Sequence, residues 1–260
     1  MTESPPQWIE PEREDEARLA LDLIPAASKP SRLWFFVHGL NSNRRGQKAL
    51  HFARHVTRRG EAFASLDFTG HGDSEGDLQG LCLSRNLRDL DRGLRFAGRH
   101  AGPFSAVHLV GSSMGGLTAL WYSANNPDRV AANLVIAPAF EMAGRLLLAL
   151  GPSKAGKWRR DGETRLETEY ADFNLSYDFV RDEARYPTGK LLKALKTATL
   201  ILHGSRDDTV PCQLSRNFAM RLPIVKLVVI EGGDHRLTDH KERLFEEMWK
   251  FVGPAGRNAY

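Results

Sequence analysis

A doubly wound α/β sheet is the fold class this sequence predicts, and two patterns predict it. Short apolar runs rich in β-branched and aromatic residues recur along the chain, and amphipathic stretches of helical period separate them. Leu33 to Val37 (LWFFV), Ala106 to Val110 (AVHLV), Ala198 to Leu202 (ATLIL) and Val225 to Ile230 (VKLVVI) read as strands, with Ala62 to Leu66 and Asn133 to Ile136 as weaker ones. Runs that are almost wholly apolar imply burial on both faces, as in a parallel sheet covered by helices. From Ser84 onward, Leu87, Leu90, Leu94 and Ala97 recur at three- and four-residue spacing. Leu244, Phe245, Met248 and Phe251 form a similar stripe in a final helix.

The length of 260 residues fits one large domain or a domain with a modest insertion. The strand–helix rhythm breaks from about Phe140 to Lys196, where the chain turns polar and irregular. An excursion this long between strands reads as a cap or lid. The expected division is therefore a core of residues 1–139 and 197–260 with a cap of residues 140–196, inserted after the sixth strand.

Composition narrows the functional class. The net charge of +4 is scattered in short groups such as Arg44-Arg45, Arg58-Arg59 and Lys154 to Arg160, with no basic stripe interleaved with aromatics, so nucleic acid is not an expected partner. No apolar run reaches the roughly 18–20 residues of a membrane helix, so stable membrane insertion is not expected either. Met1 to Glu16 is polar and acidic and resembles neither a secretory signal nor a transit peptide. Two cysteines, Cys82 and Cys212, suit a reducing compartment, and cytoplasm is the expected location. The sequence leaves the oligomeric state open.

Chemistry concentrates at the ends of the strands. Gly111-Ser112-Ser113-Met114-Gly115 matches G-x-S-x-G directly after AVHLV and opens a helical segment, Gly116 to Asn125. A strand that ends in a sharp turn and feeds a helix is what a nucleophile elbow requires, and small flanking residues let the chains approach. Ser112 lacks the flanking glycines, which leaves Ser113 as the candidate nucleophile. The backbone N–H of Met114, and that of Leu40 in the Phe36-Val37-His38-Gly39-Leu40 turn, are the candidate oxyanion donors. His38 itself reads as a brace for its loop. The glycine-rich segment Asp67 to Ser74 reads as a shaped loop near the site mouth.

Downstream, the run Ala198 to Leu202 enters His203-Gly204-Ser205-Arg206-Asp207-Asp208, before a helix expected to start near Pro211. Either aspartate would lie at the carboxyl end of a strand, where such sheets place their sites. Val225 to Ile230 ends in Glu231-Gly232-Gly233-Asp234-His235, and His235 is well placed to act as a base toward Ser113. His55 and His100 sit in polar helical contexts without evident partners, and His240 reads as a solvated residue of the last helix. There is no HExxH, no cysteine pairing at zinc spacing, no G-x-G-x-x-G and no Walker loop. Neither a cofactor nor a metal is implied.

Taken in order, HGL, DFTGHGDSEGD, GSSMGG, HGSRDDTVP and GGDHRL resemble the α/β-hydrolase superfamily over residues 33 to 252. That resemblance implies the α/β-hydrolase fold and selects Asp207, three residues beyond the glycine of H-G-x-x-D, as the acid. Gly39 to Leu50 (GLNSNRRGQKAL), the short cap and Gly233-Asp234-His235-Arg236 further resemble the palmitoyl-protein thioesterase and acyl-glucuronide esterase branch and its bacterial relatives. The narrower likeness implies hydrolysis of acyl esters or thioesters, with a small or acylated molecule as the substrate. Leu146 to Leu150 and Trp158 would then shape an acyl pocket under a rim of Lys157, Arg159 and Arg160. An amidase or aminopeptidase using the same groups, and a non-catalytic binding protein of this fold, are the alternatives.

Overall fold

The structure, a computed structural model, describes residues 5–28, 31–167 and 172–253. Its strands are β1 (Gln7–Ile9), β2 (Leu19–Ile24), β3 (Ser31–Val37), β4 (Ala62–Leu66), β5 (Phe104–Ser112), β6 (Ala132–Ile136), β7 (Glu163–Glu167), β8 (Asp172–Ser176), β9 (Ala198–Gly204) and β10 (Val225–Ile230). The helices are α1 (Gln47–Thr57), α2 (Leu83–Ala101), α3 (Met114–Asn125), α4 (Met142–Asp161), α5 (Asp178–Glu183), α6 (Thr188–Ala194), α7 (Cys212–Ala219) and α8 (Lys241–Val252). Eight strands form one sheet in the order β1-β2-β4-β3-β5-β6-β9-β10. Only β2 runs against its neighbours β1 and β4; every other pairing is parallel. This is the mostly parallel, helix-flanked sheet of the α/β-hydrolase fold.

The alternation within β3 shows why the sheet needs cover on both faces. Leu33, Phe35 and Val37 join a core that includes Leu90 and Leu94 of α2 and Leu117 and Leu120 of α3. Trp34 and Phe36 point the other way, into Phe52 and Val56 of α1 and Phe245 and Met248 of α8. Successive strand residues face opposite sides, so a fully apolar run feeds two cores at once. At the floor of the sheet the buried Arg32 guanidinium donates to Glu61 (Nε to Oε1, 2.8 Å) and Gly253 O (2.7 Å), while Trp34 Nε1–H donates to Glu61 (2.7 Å).

Between β6 and β9 the chain is more regular than its polarity predicts. It forms α4, the antiparallel hairpin β7–β8, α5 and α6, and the hairpin is a separate two-stranded sheet. Gly151, at φ 71°, and Pro152 kink α4. Only a few side chains in this segment are buried, among them Trp158, Leu166, Leu175, Phe179 and Leu191. Among the described residues, others such as Leu146, Leu147, Tyr177 and Val180 are half-buried against the core and many of the rest are exposed, and that one-sided burial produces the polar composition. Asp182 accepts the Ser84 N–H at 2.8 Å, which docks α5 on the start of α2. Among the described residues, no helix is long and apolar enough to cross a membrane.

Candidate active site

Ser113 stands between β5 and α3 at φ 54°, ψ −116°, a conformation that a non-glycine residue adopts only under strain. The strain persists because the surroundings hold it. Its N–H donates to Ile136 O at 2.8 Å, and its carbonyl accepts from Leu117 N and Ala139 N, both at 3.1 Å. The flanking glycines are required by contact. A Cβ on Gly111 would lie 2.5 Å from Gly115 O, and one on Gly115 would lie 2.2 Å from Val37 O, distances that only backbone movement could relieve. Strand, turn and helix can meet here only with glycine at both positions.

Three strand ends converge on this turn. The Ser113 hydroxyl lies 3.0 Å from His235 Nε2, and His235 Nδ1 lies 2.7 Å from Asp207 Oδ2. With Asp207 accepting from Nδ1–H, Nε2 is left to accept from the serine. Burial disfavours the Asp207 charge, but hydrogen bonds from His203, His235 and the Val210 N–H outweigh it and hold the carboxyl below its ordinary range. Asp207 Oδ1 accepts from Val210 N (2.7 Å) and Thr209 N (3.0 Å). Asp208 is exposed and accepts from Thr209 Oγ1 at 3.2 Å, so the two aspartates that spacing leaves open are separated by burial.

The loop after β3 passes directly beside the serine: the Cβ position of Gly39 lies 3.2 Å from Ser113 Cβ and 3.8 Å from its Oγ. His38 is fully buried, accepts the Phe68 N–H at Nε2 (3.1 Å) and donates from Nδ1 to Gly39 O (2.7 Å). Burial holds its pKa down at about 4, so the ring stays neutral and keeps both bonds. Because Gly39 C=O and Leu40 N–H belong to one peptide plane, fixing the first orients the second. Met114 begins α3, where the backbone N–H has no partner within the helix. The Asp67 loop backs this arrangement. Asp67 is buried, pairs with Arg44, and accepts the Asp73 N–H at 3.0 Å.

Four residues that sequence reasoning assigned no role to hold these groups in place. His203 Nε2 faces both Asp207 Oδ2 (3.1 Å) and Val210 O (2.9 Å), and its Nδ1 meets Ser215 Oγ at 2.8 Å. Arg145 of α4 donates to Phe140 O (3.1 Å) and to Thr209 O, pinning the acid loop to the segment above it. Lys48 Nζ donates to Arg236 O at 2.6 Å, tethering α1 to the His235 loop; burial pushes its pKa down to about 8. Glu183 of α5 accepts the Met142 N–H at 2.7 Å and also the Ala143 N–H, fixing the start of α4. His203 could have been sought through the H-G-x-x-D pattern; the other three act across distances in sequence that carry no local signal.

A crevice of about 310 Å³, open mouth included, adjoins the elbow and is lined by Leu81, Cys82, Leu83, Asn86, Met114, Leu117, Met142, Phe179 and Glu183. This differs from the pocket expected from Leu146 to Leu150 and Trp158. Leu148 is largely exposed, and Trp158 is buried in the joint between α4 and the hairpin, where Nε1–H donates to Leu175 O at 3.0 Å. An apolar run on a helix predicts burial without saying against what. Of the expected basic rim, Lys157 is exposed and pairs loosely with Asp161 at 3.9 Å.

Comparison with known proteins agrees with this architecture. Mouse palmitoyl-protein thioesterase ABHD10, a mitochondrial protein, is 28% identical over 209 residues, which cover 78% of this chain and 69% of the relative. The structure of the mouse α/β-hydrolase domain-containing protein 10 superposes with a TM-score of 0.79 at 24% identity, covering 96% of this chain and 98% of that one. A putative hydrolase from Agrobacterium vitis S4 superposes with a TM-score of 0.83 at 23% identity, covering 96% and 99%. The model of the α/β-hydrolase family matches residues 34–247, from within β3 into α8, and this chain is a member of that family.

Proposed function

We propose that the protein is a serine hydrolase that cleaves acyl esters or acyl thioesters through a covalent acyl-enzyme. The observation that carries this reading is the continuous hydrogen-bonded line from Ser113 Oγ through His235 to Asp207, with links of 3.0 and 2.7 Å. Ser113 Oγ attacks the acyl carbonyl carbon as His235 Nε2 takes its proton. The Leu40 and Met114 N–H groups receive the oxyanion. Collapse expels the alcohol or thiol, which leaves with the proton from His235. Water, deprotonated by the same nitrogen, then adds to the acyl-enzyme and releases the acid and the free serine. Asp207 holds the His235 ring in register and favours the imidazolium that forms in both steps.

The acyl group is assigned to the crevice beside Met114, whose lining is mostly apolar. Little of its space is enclosed, which favours short acyl groups over long ones; a palmitoyl chain would need α4 and α5 to move apart. The names of the mammalian relatives support the thioester side of the reading. Both cysteines are free thiols, consistent with a reducing compartment, and cytoplasm is the location we propose, although those relatives are named as mitochondrial.

Glu183 favours a second reading. It is an acid on the crevice wall, as an aminopeptidase needs for a substrate amine, although its carboxylate already accepts two backbone N–H groups. Kinetics on matched acyl-thioester, acyl-ester and aminoacyl-amide panels of graded length separate the two. The proposal predicts kcat/KM highest for esters or thioesters of short to medium chain. Amide turnover equal to or above ester turnover would transfer the assignment to an amidase.

A further inference from the structure

On the opposite side of the sheet from α2 and α3, α1 and α8 bring together a group of side chains that the hydrolytic site does not use. His51 and His55 lie four residues apart on α1, so they share one helix face, and Glu242 in the first turn of α8 reaches toward both. Glu242 Oε2 is 3.5 Å from His51 Nε2 and 3.6 Å from His55 Nε2, and one donor atom from each residue can be chosen so that all three lie within 4.8 Å of one another. Tetrahedral zinc with bonds of about 2.0–2.1 Å places its donors about 3.3–3.5 Å apart, close to the two His–Glu spacings.

A second observation points the same way. The His51 side chain is only 6% exposed, yet its Nε2, directed at Glu242, has no hydrogen-bond partner. A buried imidazole nitrogen without a partner is costly, and a metal ion would satisfy it. The rest of the His51 ring is fixed by Phe52 and Phe245, with centroids 5.8 and 6.4 Å away. Lys241 and Arg54 are the nearby cations that oppose a bound ion. The nearest opposite charge is Glu242, which is exposed and would keep solvent access to the remaining coordination position.

We infer that His51, His55 and Glu242 form a site for a divalent transition metal of the zinc class, which clamps α1 to α8. The sequence conceals it because Glu242 lies far along the chain from the His-x-x-x-His pair, outside any compact ligand motif. His55, for which the sequence offered no evident partner, faces Glu242 at 3.6 Å. The clamp joins the helix that follows the Leu40 loop to the helix that follows the His235 loop, so it would stiffen the frame beneath both.

Tag-free, chelator-treated full-length protein titrated with zinc chloride in a calorimeter, and with cobalt(II) chloride by visible absorption, tests this without reference to hydrolysis. One equivalent should bind, with a rise in melting temperature and a cobalt spectrum of low coordination number. His51→Ala and Glu242→Gln should each weaken binding by at least about 100-fold, since even outer-sphere partners of metal ligands are worth 10–100-fold. Glu242 is exposed, so its variant keeps the fold if that of His51 does not. Absence of saturable binding to the wild type, or binding that Glu242→Gln leaves unchanged, overturns the inference.

Discussion

Asp207 is surrounded by donors, with His203 and His235 meeting one oxygen and the Thr209 and Val210 N–H groups the other. In the proposed mechanism its charge and orientation are what make His235 a base toward Ser113. Asp207→Asn preserves volume but presents an amide that cannot accept at every contact, and it should lower kcat/KM by on the order of 10³–10⁴. Asp208→Asn, at an exposed neighbour, should leave kcat/KM nearly unchanged. Equal losses in the two variants would contradict the assignment of the acid. At this scale Ser113 and His235 were legible because each follows a strand in a turn rich in small residues, whereas position left Asp207 and Asp208 open and the family resemblance selected Asp207. The contacts of Arg145 with Thr209 O and of Lys48 with Arg236 O were not legible, since only the fold brings those carbonyls near.

Elements divide along a similar line. Six strands of the main sheet carry apolar runs that can be read in the sequence, β4 and β6 more weakly than the rest; β3, β4 and β6 are buried throughout, while β10 at the sheet edge is only partly so. β1 was hidden by its length of three residues in a polar, acidic segment, and β2 by lying beside it toward the sheet edge. In the segment between β6 and β9, helices buried on one side only read as irregular chain. His240 lies in a short 3₁₀ turn (Thr238–His240) just before α8 rather than within the helix, and it is half-buried. The joint between α4 and α5 rests on Glu183, which receives two N–H groups at the start of α4. Glu183→Gln should therefore cost about 1 kcal/mol of stability, the usual scale of a lost helix-terminal interaction. Because the same residue lines the crevice, KM should rise with kcat little changed. Chemical denaturation together with steady-state kinetics checks both; a fall in kcat at constant KM would place Glu183 in the reaction itself.

Across the whole molecule, the buried histidines set the response to acid. Burial holds His38 down at about 4, His71 at about 3 and His108 at about 3, all below the ordinary value of 6.5. Each remains neutral in the folded protein while the unfolded chain binds the proton. Their contribution to stability is therefore complete above about pH 6.5 and is lost as the pH falls toward the folded values. With three such groups the slope reaches at most about 4 kcal/mol per pH unit between about pH 6.5 and 4. Asp207, held below its ordinary range, adds a further loss at still lower pH. Melting temperatures recorded from pH 7.5 to 4.5 should be level at first and then fall steeply below about 6.5. A profile that stayed flat to pH 5 would show that these rings are hydrated or already paired.

The central claim is that Ser113 is an activated nucleophile. Intact-mass spectrometry of the folded protein after treatment with a fluorophosphonate, followed by peptide mapping, tests it most directly. The account predicts a single adduct on Ser113, absent from Ser113→Ala and strongly slowed in an equally well folded variant of His235. No adduct on the folded wild-type protein, or an adduct at another serine that persists in Ser113→Ala, would contradict it.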